Sequence, residues 1–157
     1  MGKKYKVGYT DGTFDLFHVG HLNIIEAAKE YCDYLIVAVH GDEVVREMKP
    51  NSPIIPESDR RRIIAALKDV DRAEITRFRD KRRLWELYHF DVIFIGDDYQ
   101  GTERWNKFEA ELNAVGVDVV YLPYTKTTST TQIRRQVVEM EQNNKVTNNG
   151  KNKTNFA

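Results

Sequence analysis

Hydrophobic residues along the chain alternate between short β-branched runs and longer segments with the spacing of an amphipathic helix. The short runs predict five strands, and the longer segments predict the helices between and after them. The run 34–39 is apolar at nearly every position, which is typical of a strand buried on both faces of a parallel sheet. The pattern therefore predicts an open parallel α/β sheet. The predicted strands are 5–9, 34–39, 73–76, 91–95 and 117–122, and the predicted helices are 18–31, 58–68, 81–88, 103–115 and 130–141.

The segment after Glu141 differs from the rest, because it is rich in asparagine and lysine and offers almost nothing to bury. We therefore expect one domain, 1–141, followed by a disordered polar tail, 142–157. The total length of 157 residues fits a single domain.

The charge balance and the cysteine content of the chain exclude several classes of function. Lys and Arg together number 24, as do Asp and Glu, so no overall field attracts nucleic acid or an anionic membrane. The single cysteine, Cys32, excludes an intramolecular disulfide and suits a reducing compartment. No signal-like or membrane-spanning stretch is visible. We expect a cytoplasmic protein that neither binds nucleic acid nor inserts into a membrane.

Candidate chemistry follows the first strand, where Gly-Thr-Phe-Asp at 12–15 precedes His18 and His21. A spacing of three places both imidazoles on one face of a first helical turn, close to free backbone N–H groups and the positive end of the helix dipole. Such a pair suits a polyanion such as a triphosphate. An unperturbed histidine has a pKa of about 6.5, so the charged form is reachable near neutrality.

Two other interpretations of these residues are open. Asp15, His18 and His21 have the spacing of a Zn²⁺ site with one carboxylate and two imidazoles, and they could also be an ordinary helix cap. The two commonest glycine-rich phosphate-binding loops do not occur in the sequence, so phosphate would have to be bound by another structural feature. Hydroxyls at 129–131 open the last helix, where they can cap it, bind an anion, or do both.

The stretch 12–21, Gly-Thr-Phe-Asp-Leu-Phe-His-Val-Gly-His, resembles the G-x-F-D-x-x-H-x-G-H signature of the nucleotidylyltransferase superfamily. The segments 68–71, 96–99 and 129–133 resemble three further motifs of that superfamily and occur at the expected spacings. Together they cover about residues 5–137. Within the superfamily the resemblance is to the cytidylyltransferase family, in particular to the bacterial glycerol-3-phosphate cytidylyltransferases.

The resemblance implies a Rossmann-like sheet of five parallel strands in the order 3-2-1-4-5, with helices on both faces, in a homodimer. It implies transfer of a cytidylyl group from CTP to glycerol 3-phosphate by in-line attack on the α-phosphorus, giving pyrophosphate and CDP-glycerol, an activated polyol for surface polymers. Mg²⁺ is expected to bind through the triphosphate, with no side-chain ligand. The alternatives are ATP or another phosphorylated acceptor, or a nucleotide-binding sensor without catalysis.

The resemblance also assigns roles to residues. The catalytic set is His18, His21 and Lys49. The nucleotide-binding set is Gly12, Thr13, Phe14, His18, His21, Asp97, Ser129, Thr130 and Thr131. The acceptor-binding set is Asp15, Lys49, Arg60 and Arg82. Tyr124 and Lys68 depart from the pattern, because the family usually has arginine at both positions, and Lys126 is the candidate replacement for the missing nucleotide contact at 124.

Overall fold

A computed structural model describes residues 2–153 and shows one five-stranded sheet with the order β3-β2-β1-β4-β5. Every neighbouring pair of strands is parallel. The predicted fold and strand order are therefore confirmed. The strands are β1 (Tyr5–Gly12), β2 (Cys32–His40), β3 (Arg72–Thr76), β4 (Val92–Gly96) and β5 (Asp118–Leu122), and the helices are α1 (Val19–Tyr31), α2 (Asp42–Met48), α3 (Glu57–Ala65), α4 (Lys81–Tyr88), α5 (Glu103–Asn113) and α6 (Thr130–Lys153).

Helices cover both faces of the sheet, as a parallel sheet requires. On one face, Ile25 of α1 and Ile64 of α3 pack into a core that includes Leu35 and Val37 of β2. On the other face, Leu84 of α4 and Leu112 of α5 pack into a second core with Tyr9, Ile36 and Ala38. Neighbouring residues of β2 thus enter opposite cores, which explains its continuous apolar run. None of the helices in the described part of the chain is long and apolar enough to cross a membrane.

The structure differs from the sequence prediction near the site. β1 continues beyond residue 9 to Gly12, because its polar side chains find partners there: the Thr10 hydroxyl donates to the Phe94 carbonyl at 2.9 Å. The sequence analysis assigned no helix at 42–48, where α2 buries Val44 and Val45. The longer β1 places Asp11 and Gly12 at the edge of the sheet where the strands end.

The C-terminal segment also differs from the prediction. α6 continues to Lys153, through residues 142–153 of the expected disordered tail. Side chains from Arg135 to Gly150 are exposed, so this length of helix is held by local contacts such as the 3.1 Å ion pair between Lys145 and Glu141. Residues 154–157 of the expected tail lie outside the described residues.

Arg60 of α3 is buried, with 1% of its surface exposed. Its Nε donates to the Ile55 carbonyl at 2.8 Å, and its terminal nitrogens donate to the Thr13 carbonyl at 2.6 Å and to Asp42 at 2.7 Å. The guanidinium therefore ties α3 to α2 and to the loop after β1. The structure assigns Arg60 to the interior, in place of the predicted acceptor contact, because these three oxygens already take its donors.

Replacing Arg60 by alanine is expected to lower the free energy of unfolding by about 3 kcal/mol, since it leaves a carboxylate and two carbonyls without their donor. Urea unfolding measures the change. Arg62→Ala, an exposed position on the same helix, is the matched control and is expected to stay within about 0.5 kcal/mol of the parent. Equal, small losses in both variants would contradict a structural role for Arg60.

Candidate functional site

A cavity of about 700 Å³ opens at the carboxyl ends of β1 and β4, where the strand order reverses. Ligands of open α/β sheets bind at this point, and the volume lies in the usual range for a small-molecule site. The walls come from the ends of the strands and from the N-terminal turns of α1, α4, α5 and α6. Of the predicted site residues, those lining the cavity are Gly12, Thr13, Phe14, Asp15, His18, His21, Lys49, Ser129, Thr130 and Thr131.

The two histidines form the N-terminal cap of α1. His18 is the capping residue, and its Nδ1 accepts the N–H of Gly20 at 3.0 Å. In return, Nδ1 of His21 accepts the N–H of His18 at 3.3 Å. The rings stack with their centroids 3.8 Å apart. Because each Nδ1 is an acceptor, a neutral ring carries its proton on Nε2, so each imidazole keeps one N–H donor for a ligand.

Both imidazoles favour the neutral form. Burial lowers the pKa of His18, and burial together with the neighbouring His18 lowers the pKa of His21 to about 4. The free protein therefore favours the neutral form of both rings. The sequence analysis expected a charged form that is reachable near neutrality, and the structure opposes it because burial favours the neutral imidazole.

Two glycines, Gly12 and Gly20, leave room for the close packing of His18, His21 and Phe14. A Cβ at Gly20 would lie 2.8 Å from Cε1 of His18, and a Cβ at Gly12 would lie 3.2 Å from the Phe14 ring. Phe14 itself has a φ of +53° and meets the His21 ring edge-on at 5.3 Å. Gly12 and Phe14 thus shape the wall behind His21.

Asp15 lines the cavity but its carboxylate is already occupied. It accepts the backbone N–H groups of Leu16 at 3.1 Å, Ile54 at 2.8 Å and Ile55 at 2.9 Å, as well as a guanidinium N–H of Arg134. Burial opposes its ionisation, but these hydrogen bonds outweigh burial and hold its pKa below the ordinary value. With its oxygens taken, Asp15 is not the acceptor contact that we predicted.

The Zn²⁺ interpretation finds no support in this geometry. Nδ1 of His18 and of His21 accepts a backbone N–H, and the Asp15 oxygens are satisfied. Within residues 2–153, no group of three or more His, Cys, Asp or Glu side chains could hold a metal ion.

The start of α6 forms the wall facing the histidines. The Ser129 hydroxyl accepts the N–H of Gln132 at 3.1 Å, and the Thr130 hydroxyl donates to the Asp15 carbonyl at 2.8 Å. Two of the three hydroxyls therefore have structural partners, while that of Thr131 makes no hydrogen bond within the described chain. The cavity thus lies against the N-terminal end of a long helix, which favours an anion.

Two residues that the sequence analysis did not single out, Asp11 and Lys81, form a buried ion pair in the cavity wall. Nζ of Lys81 lies 2.8 and 2.7 Å from the two Asp11 oxygens and 5.7 Å from the centre of the Trp105 ring. His40 adds Nε2 at 3.4 Å from Asp11. Burial opposes ionisation of Asp11, yet Lys81 and His40 hold its pKa well below the ordinary value.

Arg82 does not reach the cavity. Its guanidinium lies over the Trp85 ring at 5.1 Å, and its Nε is 3.7 Å from Glu86. Successive helical residues differ in direction by about 100°, so the first residue of α4, Lys81, faces the cavity while Arg82 faces outward. A basic side chain therefore lines the cavity one position earlier than predicted, at Lys81 instead of Arg82.

Asp97, like Arg82, does not line the cavity. Its carboxylate accepts the backbone N–H of Tyr124 at 3.1 Å and thereby holds the segment after β5, whereas Asp98 lines the cavity. Burial and the nearby Asp97 raise the pKa of Asp98. The predicted role of Asp97 as a direct nucleotide contact is not what the structure indicates.

The charged residues around the cavity are predominantly basic, five against three acidic. The acidic residues are Asp11, Asp15 and Asp98, and the basic residues are Lys49, Arg79, Lys81, Arg104 and Arg134. Lys81 and Arg134 are paired with carboxylates. Within the described residues, the other three basic side chains have no ion-pair partner. The cavity therefore suits a ligand with several negative charges.

Comparisons with known proteins agree with this site. A family model described as cytidylyltransferase-like matches residues 9–136. The chain is 39% identical over 109 residues to an FAD synthase from Ferroglobus placidus, covering 69% of this chain and 70% of that protein. It is 42% identical over 95 residues to the bifunctional protein HldE from Koribacter versatilis, covering 60% of this chain but only 20% of that protein.

Among solved structures, the chain is similar to a lipopolysaccharide core biosynthesis protein from Thermoplasma volcanium, with a TM-score of 0.66 and 27% sequence identity. The match covers 79% of this chain and 99% of that one. With the family model spanning most of the sheet and the whole histidine motif, the chain belongs to the cytidylyltransferase-like family of nucleotidyl-transferring enzymes.

Proposed function

We propose that the chain transfers a cytidylyl group from CTP to a small phosphate monoester, with glycerol 3-phosphate as the first acceptor to test, and releases pyrophosphate. The observation that carries the proposal is the histidine pair, stacked at 3.8 Å on a helix N-terminus inside a basic cavity. Membership of the family supports the transfer reaction. The choice of CTP and of glycerol 3-phosphate rests on the resemblance of the motifs.

ATP is the second candidate donor. One relative that this chain covers over most of its length is named as an FAD synthase, and FAD contains an adenylyl group. Neither that protein nor the HldE relative is named as a glycerol-3-phosphate cytidylyltransferase. The same site could take either nucleotide, because the histidine pair, the helix ends and the basic side chains would contact the phosphates and not the base.

We infer that the triphosphate lies between the N-terminal ends of α1 and α6. Nε2–H donors of His18 and His21 and the free amides at the start of α6 supply its hydrogen bonds. Lys49, exposed at the cavity and without an ion-pair partner within the described chain, supplies charge. A bound polyanion raises the pKa of both imidazoles, since nearby negative charge favours their charged form.

In the transfer step, an oxygen of the acceptor phosphate attacks the α-phosphorus and forms a new P–O bond. The bond from the α-phosphorus to the bridging oxygen breaks, and pyrophosphate leaves with that electron pair. A phosphate monoester is already anionic at neutral pH, so no residue must remove a proton. The residues of the chain therefore act by positioning the two substrates and by stabilising charge as it develops.

Mg²⁺ is proposed to enter with the triphosphate. Mg²⁺ prefers oxygen ligands and commonly binds through substrate phosphates, so the triphosphate itself would hold the ion. When bound, the ion would neutralise part of the phosphate charge.

For the acceptor phosphate, the residue with the best geometry is Lys81. Its ammonium group is fixed between the Asp11 carboxylate and the face of Trp105, so little conformational freedom is lost when it binds. An ammonium group has three N–H donors. Two of those of Lys81 point to the Asp11 oxygens, which leaves one for a phosphate oxygen. Arg79, which also lines the cavity and makes no ion pair in the described chain, adds a second charge at this end.

Loss of either imidazole is expected to lower pyrophosphate release by about 10²–10³-fold, since each supplies a preorganised donor to developing charge. The assay uses Mg²⁺ with CTP, ATP, GTP or UTP against glycerol 3-phosphate and other phosphate monoesters, with His18→Asn and His21→Asn. An asparagine oxygen can replace Nδ1 as the cap acceptor, so these variants keep α1 intact.

His89→Asn is the matched control, because His89 is exposed, lies outside the cavity and has a φ of +53° that asparagine tolerates. Wild-type turnover restricted to CTP supports cytidylyl transfer, and turnover restricted to ATP moves the proposal to adenylyl transfer. Tight nucleotide binding without any turnover would indicate a sensor and contradict the proposed reaction.

Removing the Lys81 charge is expected to raise the KM for the phosphate acceptor by about tenfold or more, with a small effect on the KM for the nucleotide. Because Lys81→Gln removes the ammonium partner of the buried Asp11, the double variant Asp11→Asn/Lys81→Gln is measured beside it. Lys107→Gln, on the exposed face of α5, is the control. A rise confined to the nucleotide KM in the folded double variant would refute the acceptor assignment.

A further inference from the structure

Asp15 is the point where three segments of the cavity wall meet. Its carboxylate accepts the backbone N–H groups of Ile54 and Ile55 from the loop 49–56, and a guanidinium N–H of Arg134 from α6. The residue is 2% exposed. These contacts join parts of the chain that are far apart in sequence.

Arg134 connects α6 to that loop in two ways. The same terminal nitrogen that donates to Asp15 lies 3.5 Å from the Ser52 carbonyl. One helical turn earlier, the Thr130 hydroxyl donates to the Asp15 carbonyl at 2.8 Å. The first two turns of α6 are therefore attached to the backbone and to the side chain of Asp15.

The two ends of the loop 49–56 are held by the neighbouring helices. The Lys49 N–H donates to the Val45 carbonyl at the end of α2, and the Pro56 carbonyl accepts the N–H groups of Asp59 and Arg60 at the start of α3. Between these ends the segment has no regular secondary structure. Its side of the cavity is therefore positioned by the Asp15 contacts, together with the Ile55 carbonyl that accepts from Arg60.

The charge of Arg134 is central to this arrangement. A carboxylate that is 2% exposed is costly unless it is paired, and Arg134 is the cation paired with Asp15 in the described chain. The three backbone donors to Asp15 are neutral. Without the guanidinium, ionised Asp15 would lose its charge partner and its hold on the loop would weaken.

We propose that Arg134 is a positioning residue that acts through Asp15 to set the loop after Lys49 relative to the N-terminus of α6. This loop and the Ser129–Thr131 turn then line the cavity as one unit beside Lys49. The effect of Arg134 on turnover rests on the proposed function. Its effect on the loop does not, since every contact involved lies within the chain.

The first experiment measures amide hydrogen exchange in the free protein for Arg134→Gln and Arg134→Lys. In Arg134→Gln, the Ile54 and Ile55 amides are expected to exchange at least about tenfold faster, while the core amides of Tyr9 and Ile93 stay protected. Arg134→Lys keeps a cation and is expected to restore part of the protection. The control is Arg135→Gln, an exposed neighbour on the same helix.

The second experiment is a double-mutant cycle on pyrophosphate release with Lys49→Gln. If the loop that Arg134 sets acts on turnover through the Lys49 side chain, Arg134→Gln lowers kcat in the parent by about tenfold and has little further effect once Lys49 is absent. A purely structural role would add the same loss in both backgrounds.

The outcomes separate the two proposals. Unchanged exchange at Ile54 and Ile55, or equal acceleration by Arg135→Gln, would overturn the role of Arg134. Additive losses of kcat would overturn its action through Lys49. Faster exchange in a protein that turns over no nucleotide would support the coupling of loop and helix and count against the proposed reaction alone.

Discussion

The buried carboxylate of Asp15 is the interaction on which the cavity depends. It lies three residues before the capping histidine of α1, and its oxygens take donors from its own loop, from the loop after α2 and from α6. Such a group is stable only when its hydrogen bonds are complete, so the three segments form one arrangement or none. The strand ends form the base of the cavity, and this carboxylate joins the parts of its wall that come from the loop after α2 and from α6.

A common pattern links the three buried charges of the site region. Asp15 has Arg134, Asp11 has Lys81, and Arg60 has Asp42, each partner coming from a different element. Buried pairs add little stability compared with apolar packing, but breaking one is costly. Their effect is to specify which loops meet. The basic side chains left over, among them Lys49 and Arg79, give the cavity its attraction for anions.

Much of the fold was predictable because burial on both faces of a parallel sheet leaves a strong apolar signal. The motif at 12–21 also located the histidines correctly. Asp11 and Lys81 were missed because their contact spans 70 residues and no local pattern reports it. Arg60 was singled out correctly from the run of three arginines, but its expected contact with the acceptor is replaced by structural partners from other segments, which no local pattern reports. Its position four residues before the buried Ile64 was the available signal for its burial.

Histidine is not among the residues that cap helices best, a role for which serine, aspartate and asparagine are preferred. α1 nevertheless begins with an imidazole at residue 18 that closes the helix through Nδ1. One ring nitrogen thus accepts from the backbone, and the proposed function assigns the other to the phosphates. Because α1 begins with a weaker cap than serine, aspartate or asparagine would give, this chain is expected to be less stable than its fold permits, as functional sites commonly require.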